Sequence, residues 1–289
     1  MIKLRTTAPA KINLTLDVLD RRPDGYHNLS TIMHQIPLED EIEIIIGQGE
    51  GIRAVTNFSY IKADSNIAVK AVRLFLDELD KVGRFPEKNS GILIDIKKKI
   101  PVGAGLGGGS ANAAAVIKVL NEYFGSPFTT KSLMEIGARV GADVPFCIVG
   151  GCALCEGIGD IITSINKLPP CYIVVVKPRA SISTAELFSV YSSTKNSARP
   201  DTVGALDALK EGDLGGIARR VFNVLEEFAQ KKIRGISEIK KDLMRQGALG
   251  SSMSGSGSAV FGIFDEIELA MAASSFFEKQ YSQVYLLEL

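Results

Sequence analysis

The chain has no long uninterrupted apolar run, no surplus of either charge, only two histidines and only four cysteines. Each scarcity removes a class of function. A membrane-crossing helix needs about 20 mainly apolar residues in a row, so none is expected. Lys plus Arg and Asp plus Glu number 33 each, which leaves no whole-chain bias toward nucleic acid and no acidic tail. The opening stretch MIKLRTTAPAKINLTL lacks the apolar segment of a secretory signal. Cys152 and Cys155 form one C-x-x-C, with Cys147 and Cys171 nearby. A zinc site asks for about two further ligands, and His27 and His34 lie far away in sequence. Buried reduced thiols are the expected reading, with a redox motif the weaker alternative. The expectation is a cytoplasmic protein, monomer or homodimer, with no membrane or nucleic-acid partner.

The chain has 289 residues, 46% hydrophobic and 23% charged, enough for a large core or two domains. EIEIII (41–46) and ILIDI (92–96) read as strands, and DSNIAVKAVRLFLDELDKVG (64–83) between them as a helix. Asp64 or Ser65 can cap that helix, Ile67, Ala71, Leu74, Phe75 and Val82 form its apolar stripe, and Gly83 ends it. Residues 110–124 and 130–145 read as two more helices, with Gly141 ending the second. Pro145 is expected to hold Val144 extended, so that Asp143 sits in a stiff turn. CALCEG, YIVVV, AVFGIF and VYLLEL are strand-like, and ISTAELFSVY and GGIARRVFNVLEEFAQ helical. The irregular order favours α+β over a doubly wound sheet. DIITSINKLPPC (160–171) is the expected crossing between domains 1–158 and 159–289.

PVGAGLGGGSANAAAV (101–116) contains G-x-G-x-x-G at Gly103, Gly105 and Gly108. A dinucleotide fold wants the first glycine directly after a strand and an acid at a second strand end about 20 residues on. Here KKKIP intervenes, and Glu122 falls inside a helix. No Gly-Lys-Ser or Gly-Lys-Thr occurs, so the P-loop fails too, as does the protein-kinase set. The residues still suit an anion. Gly103, Gly105, Gly107, Gly108 and Gly109 leave backbone N–H groups approachable, and Ser110, Ala111 and Asn112 leave a helix N-terminus open. A triphosphate is the expected occupant, and a glycine-rich turn or packing contact the plainer alternative.

PVGAGLGGGSANAA resembles the P-x-x-x-G-L-G motif of the GHMP kinase superfamily. PAKINLTL (9–16) looks like its first motif, and MSGSGSAVFGIF (253–264) like its third. Asp24-Gly25-Tyr26-His27, GADVPF and ISTAELF are similar to one branch, whose members phosphorylate a cytidine diphosphate-linked methylerythritol. The resemblance implies a two-domain α+β GHMP kinase fold. Its N-terminal part would be ribosomal protein S5 domain 2-like and its C-terminal part α/β-plait-like, with substrate and ATP meeting in the cleft between them. It also implies transfer of the ATP γ-phosphoryl group to the 2-hydroxyl, with Mg2+, on the non-mevalonate route to isoprenoid precursors.

Under that resemblance Asp143 is the acid/base residue and Lys11 its partner, with Asn13 supporting the network. Lys11, Asn13 and Thr15 share one strand face, opposite Ile12, Leu14 and Leu16. Without the family, Lys11 reads as a surface charge and Asp143 as a cap. The ATP site takes Pro101, Gly103, Gly105, Leu106, Gly107, Gly108, Gly109, Ser110 and Ala111, with Asn66 and Lys98 at positions near the adenine. On sequence grounds alone Lys97, Lys98 and Lys99 are a solvated run. Ser110 reaches Mg2+ or the β-phosphate, or else caps its helix. Tyr26, His27 and Phe188 are expected to contact the cytidine, and Gly255 and Gly257 to position substrate. The rivals are a kinase for another alcohol such as homoserine or mevalonate, a non-catalytic nucleotide binder, and a dinucleotide-dependent dehydrogenase.

Overall fold

A computed structural model describes residues 1–47, 49–58, 66–84, 91–192 and 198–289. By residue contacts the chain divides into two compact units. The first is Met1–Ala10, Leu38–Ile100 and Gly107–Gly150; the second is Lys11–Pro37, Pro101–Leu106 and Gly151–Leu289. Neither unit is continuous in sequence, unlike the expected halves 1–158 and 159–289. The reason is local: the two opening strands are each 20 residues long, and each contributes one end to each unit.

Those strands are β1 (Ile2–Arg21) and β2 (His27–Ile46). The first unit adds β3 (Ile52–Thr56), helix α1 (Ile67–Lys81), β4 (Ile92–Lys97), α2 (Gly108–Tyr123), α3 (Thr130–Val140) and α4 (Val144–Val149). β4 runs antiparallel to β2, with Ile42 opposite Ile96, and parallel to β3, with Ile52 opposite Ile92. Their apolar side chains pack with α1, α2 and α3 in one core that includes Ile44, Ile94, Phe75, Leu79, Val116 and Leu120. Asn66 caps α1, its Oδ1 accepting from Ala68 N at 2.9 Å. Asp64 and Ser65 lie outside the described residues. The buried stripe of α1 is Ala68, Val69, Ala71, Val72, Phe75, Leu76 and Leu79. Expected Ala71 and Phe75 belong to it, but Val82 does not: it is the C-cap residue, 52% exposed.

The second unit adds β5 (Cys152–Gly157), β6 (Ile161–Ser164), β7 (Tyr172–Val176), α5 (Thr184–Ser192), α6 (Thr202–Glu211), α7 (Leu214–Ala218), β8 (Phe222–Asn223), α8 (Glu226–Lys232), α9 (Arg234–Arg245), β9 (Gly250–Met253), β10 (Val260–Phe264), α10 (Ile267–Glu278) and β11 (Val284–Glu288). An antiparallel sheet runs β11-β7-β10-β9. α8, α9 and α10 contribute Phe228, Ile236, Ile239, Leu243 and Phe277 to the core on it. β5 pairs with β2 and β6 with β5, and residues 151–289 all belong to the second unit, so the expected crossing at 160–171 is not one: it starts as strand β6 and stays within that unit. The stretch 215–230 is not one helix. It breaks around β8, which bridges β1 in parallel with Leu16 opposite Asn223. Long-range partners for Asn223 and Glu226 outweigh the local helical pattern there.

Cys152, Cys155 and Cys171 are buried and Cys147 is half-buried. Burial pushes Cys152 and Cys171 up to about 12, far from a reactive thiolate. His34 is buried on β2. Its Nδ1 lies 2.7 Å from the Gln35 carbonyl and its Nε2 accepts from Leu168 N at 3.1 Å, which selects the neutral Nδ1–H tautomer. Burial lowers its pKa from 6.5 to about 4. The unfolded chain therefore takes up a proton between those values and the native state does not. Stability is complete above about pH 6.5 and falls as pH drops toward 4, by roughly 3 kcal/mol at ~1.4 kcal/mol per unit. His34→Gln should flatten that limb of a plot of unfolding free energy against pH; an unchanged limb would assign it to other groups.

Candidate active site

The stems of the glycine-rich loop are fixed by a buried carboxylate in the first unit. Asp40 is fully buried and ion-paired to Lys98. Its Oδ1 accepts from Lys99 N at 2.7 Å and Ile100 N at 2.8 Å, on the stem entering the loop. Its Oδ2 accepts from Asn112 Nδ2 at 2.8 Å, on the helix leaving it. Lys98 Nζ also donates to Asn112 Oδ1 at 3.0 Å. The three lysines are thus not a uniform solvated run. Lys97 and Lys99 are exposed and pair with Glu41, while Lys98 points inward, as strand alternation requires. The side chains of Lys98 and Asn66 both have structural partners.

Helix α2 opens after Gly107, which is left-handed (φ +69°) and supplies no side-chain cap. Ser110 is the third helical residue and does not cap, which removes that alternative. The first-turn N–H groups keep the open, partly positive end expected for an anion. Not every glycine is there for a ligand, however. A Cβ on Gly108 would fall 2.9 Å from Ile100 Cγ2 and 3.1 Å from Lys98 Nζ, so packing requires that glycine.

In the second unit the loop and the third motif close on Lys11. Lys11 N donates to Leu106 O at 3.0 Å, and Ala259 N to Ala104 O at 3.0 Å. Ser254 Oγ donates to Gly105 O at 2.9 Å. Lys11 Nζ donates to Asn13 Oδ1 at 2.7 Å, Asn13 Nδ2 to Thr31 Oγ1 at 2.8 Å, and Thr31 Oγ1 to Thr15 O at 2.6 Å. Lys11 is only 3% exposed, so the reading as a solvated surface charge fails. Gly105 (φ +76°) is the tightest point: a Cβ there would lie 2.0 Å from Ser254 O. Gly105→Ala is expected to cost on the order of 3 kcal/mol or more and to raise KM for ATP. Denaturant midpoints and ATP titration check this; an unshifted midpoint would contradict it.

Asp143 sits at the joint of α3 and α4 in the first unit. Gly141 ends α3 in extended conformation, as expected. Val144 is not extended; it opens α4, and Asp143 is the N-cap residue in the αR region. Pro145 falls in the first helical turn, where its missing N–H costs nothing, and this outweighs the restriction on the preceding residue. The Asp143 side chain makes no capping bond to α4, so its carboxylate is not consumed by the helix it precedes. A Cβ on Gly141 would lie 4.0 Å from Ser110 Oγ, which places this joint beside the start of α2.

The Asp-Gly-Tyr-His tetrad is a tight turn. Arg22 N donates to Tyr26 O at 2.8 Å, and Asp24 Oδ1 accepts from Tyr26 N at 3.1 Å. It leaves Tyr26 60% exposed. His27 meets Phe188 of α5, ring centroids 5.4 Å apart and tilted 33°. Partial burial and Arg21 lower the His27 pKa, favouring a neutral ring with one donor and one acceptor. Thr184 Oγ1 and Ser256 Oγ, 2.8 Å apart, tie α5 to the third motif.

Sequence reasoning missed Asp40 and Lys177, and took Asn112 only as part of the open helix end, not as a partner of Asp40 and Lys98. Lys177 is buried and donates to Pro178 O at 2.9 Å and Ser181 Oγ at 3.2 Å, and desolvation lowers its pKa. Asn112, a poor helix former in an alanine-rich turn, was the one available signal.

Two family models match the chain, GHMP kinases N terminal domain over residues 66–151 and GHMP kinases C terminal over 205–283. Fold and loops are those of a GHMP kinase, a two-domain, mixed α/β, ATP-dependent small-molecule kinase. The 4-diphosphocytidyl-2-C-methyl-D-erythritol kinase of Alkaliphilus oremlandii is 45% identical over 96% of this chain and 94% of its own. That of Acetivibrio thermocellus is 45% identical over 94% of each. A crystal structure of 4-(cytidine 5'-diphospho)-2C-methyl-D-erythritol kinase superposes with TM-score 0.78 at 29% identity, covering 99% of this chain and 98% of the other. The chain belongs to the 4-diphosphocytidyl-2-C-methyl-D-erythritol kinase family. Homoserine kinase from Cytophaga hutchinsonii, with TM-score 0.75 at 21% identity over 99% of this chain and 94% of its own, shares the fold.

Proposed function

We propose that this protein transfers the γ-phosphoryl group of ATP to the 2-hydroxyl of 4-diphosphocytidyl-2-C-methyl-D-erythritol, on the non-mevalonate route to isoprenoid precursors. Near-full-length kinship to kinases named for that substrate carries the reading. The paired rings of His27 and Phe188 beside the exposed Tyr26 are its local support. The 2-hydroxyl oxygen bonds to the γ-phosphorus as the bond to the β,γ-bridging oxygen breaks, and ADP leaves. Asp143 orients the hydroxyl and takes its proton, and Lys11 offsets charge on the transferring group. Backbone N–H groups at residues 103–111 hold the phosphates, which replaces the missing P-loop lysine. Asn66 and Lys98 shape the adenine end of the site through the cap and the Asp40 pair they form. Gly255 and Gly257 let the third loop approach the substrate.

Among the described residues no group of three or more His, Cys, Asp or Glu could hold a metal ion. That donor set fits an ion carried in by the nucleotide, bound mainly by phosphate oxygens and water with Ser110 as the protein hydroxyl. Mg2+ there would neutralise charge on the β- and γ-phosphates. No helix among the described residues is long and apolar enough to cross a membrane. The buried thiols of Cys152 and Cys171 suit a reducing compartment, and we assign the protein to the cytoplasm, as monomer or homodimer. ADP release measured with a panel of alcohols tests the reading. The cytidine diphosphate-linked methylerythritol should support turnover, and homoserine and mevalonate should not; preference for either of those would overturn it.

A further inference from the structure

The interruption of the 214–232 stretch has a geometric result. Asn223, 3% exposed, is anchored on two sides. Its backbone registers against Leu16 of β1, the strand that carries Lys11 and Asn13, and Val224 N donates to Leu16 O at 3.1 Å. Its side chain grips the third glycine-rich loop: Nδ2 donates to both Met253 O and Gly255 O at 2.8 Å, and Oδ1 accepts from Leu225 N at 2.9 Å. Glu226, at the start of α8, takes Met253 N at 2.9 Å. Gly255 in turn sits on the phosphate loop and the lysine. A Cβ there would fall 2.8 Å from Gly105 O and 3.2 Å from Lys11 Nζ. Asn223 therefore links the Lys11 strand directly to the third loop, alongside the Glu226 bond to Met253 N and the Ser254 bond to Gly105 O. A continuous helix over these residues would satisfy the backbone equally well, and would lose that link.

We propose that Asn223 is a positioning residue for phosphoryl transfer: its amide fixes the third glycine-rich loop against the Lys11 ammonium and the phosphate loop. The proposal rests on the catalytic reading of Lys11. A purely structural asparagine would lower activity by the same factor whatever stands at position 11. A positioning residue that works through Lys11 loses most of its effect once Lys11 is gone.

The test is steady-state kinetics on the full chain with ATP, Mg2+ and 4-diphosphocytidyl-2-C-methyl-D-erythritol, comparing wild type, Asn223→Ala, Lys11→Ala and the double variant. Asn223→Ala should lower kcat on the order of 10²-fold, with both KM values within about threefold. On the Lys11→Ala background the same substitution should cost less than about threefold. Equal factors on both backgrounds, or normal kcat in Asn223→Ala, would overturn the proposal. Near-normal turnover of Lys11→Ala alone would remove the Lys11 reading, and the proposal with it. Asn223→Asp, which keeps the size and the Leu225 bond but loses both donated bonds, should repeat the pattern. If neither variant folds, Asn223 is structural and the proposal fails.

Discussion

Asp143→Asn is expected to lower kcat by about 10²–10⁴-fold while leaving the thermal midpoint nearly unchanged. The amide keeps the shape of the carboxylate but cannot accept the hydroxyl proton. Stability should hold because asparagine matches the carboxylate in size, and the joint is fixed by Gly141, Pro145 and the backbone bond from Cys147 N to Asp143 O at 3.1 Å. KM for ATP should change little, since the proposed phosphate contacts are the backbone N–H groups of the glycine-rich loop. Steady-state kinetics with a melting curve on the same preparation checks this. Wild-type turnover in a folded Asp143→Asn protein would contradict the assignment.

Lys11→Ala is the second large effect, a fall in kcat on the order of 10²–10³-fold. The ammonium is buried at 3% exposure and hydrogen-bonded to Asn13, so its charge is not screened as a surface lysine's is. Lys11→Arg should fail to rescue. The slot is bounded by Asn13 and by Gly255, and a planar guanidinium needs more width than an ammonium. Full activity in the Arg variant would show that any cation there suffices; full activity in the Ala variant would remove Lys11 from the mechanism.

Much of this was legible because short-range pattern and local chemistry agreed. ILIDI alternates and forms β4, and Gly141 stops α3. The three motifs, spread from residue 9 to 264 and two of them glycine-rich, point to the family without any geometry. The failures lie where a distant partner decides. Residues 215–230 carry a helical pattern, but Asn223 and Glu226 bind Met253 and Gly255, so the helix breaks. Lys98 resembled its neighbours until Asp40, 58 positions away, claimed it. Asp40 gave no sign of its role, because an acid between Glu39 and Glu41 reads as part of an ordinary solvated acidic run. Val144 was misread for a different reason: the restriction on a residue before proline is real but weaker than the fit of proline to a first helical turn.

The most direct test of the central claim is phosphorus NMR of the purified protein with ATP, Mg2+ and 4-diphosphocytidyl-2-C-methyl-D-erythritol. The account predicts that ADP appears in step with one new phosphomonoester signal, while the diphosphate of the substrate stays intact, and that neither appears without the substrate. ADP release without a new phosphomonoester, or a phosphomonoester formed on homoserine or mevalonate instead, would contradict it.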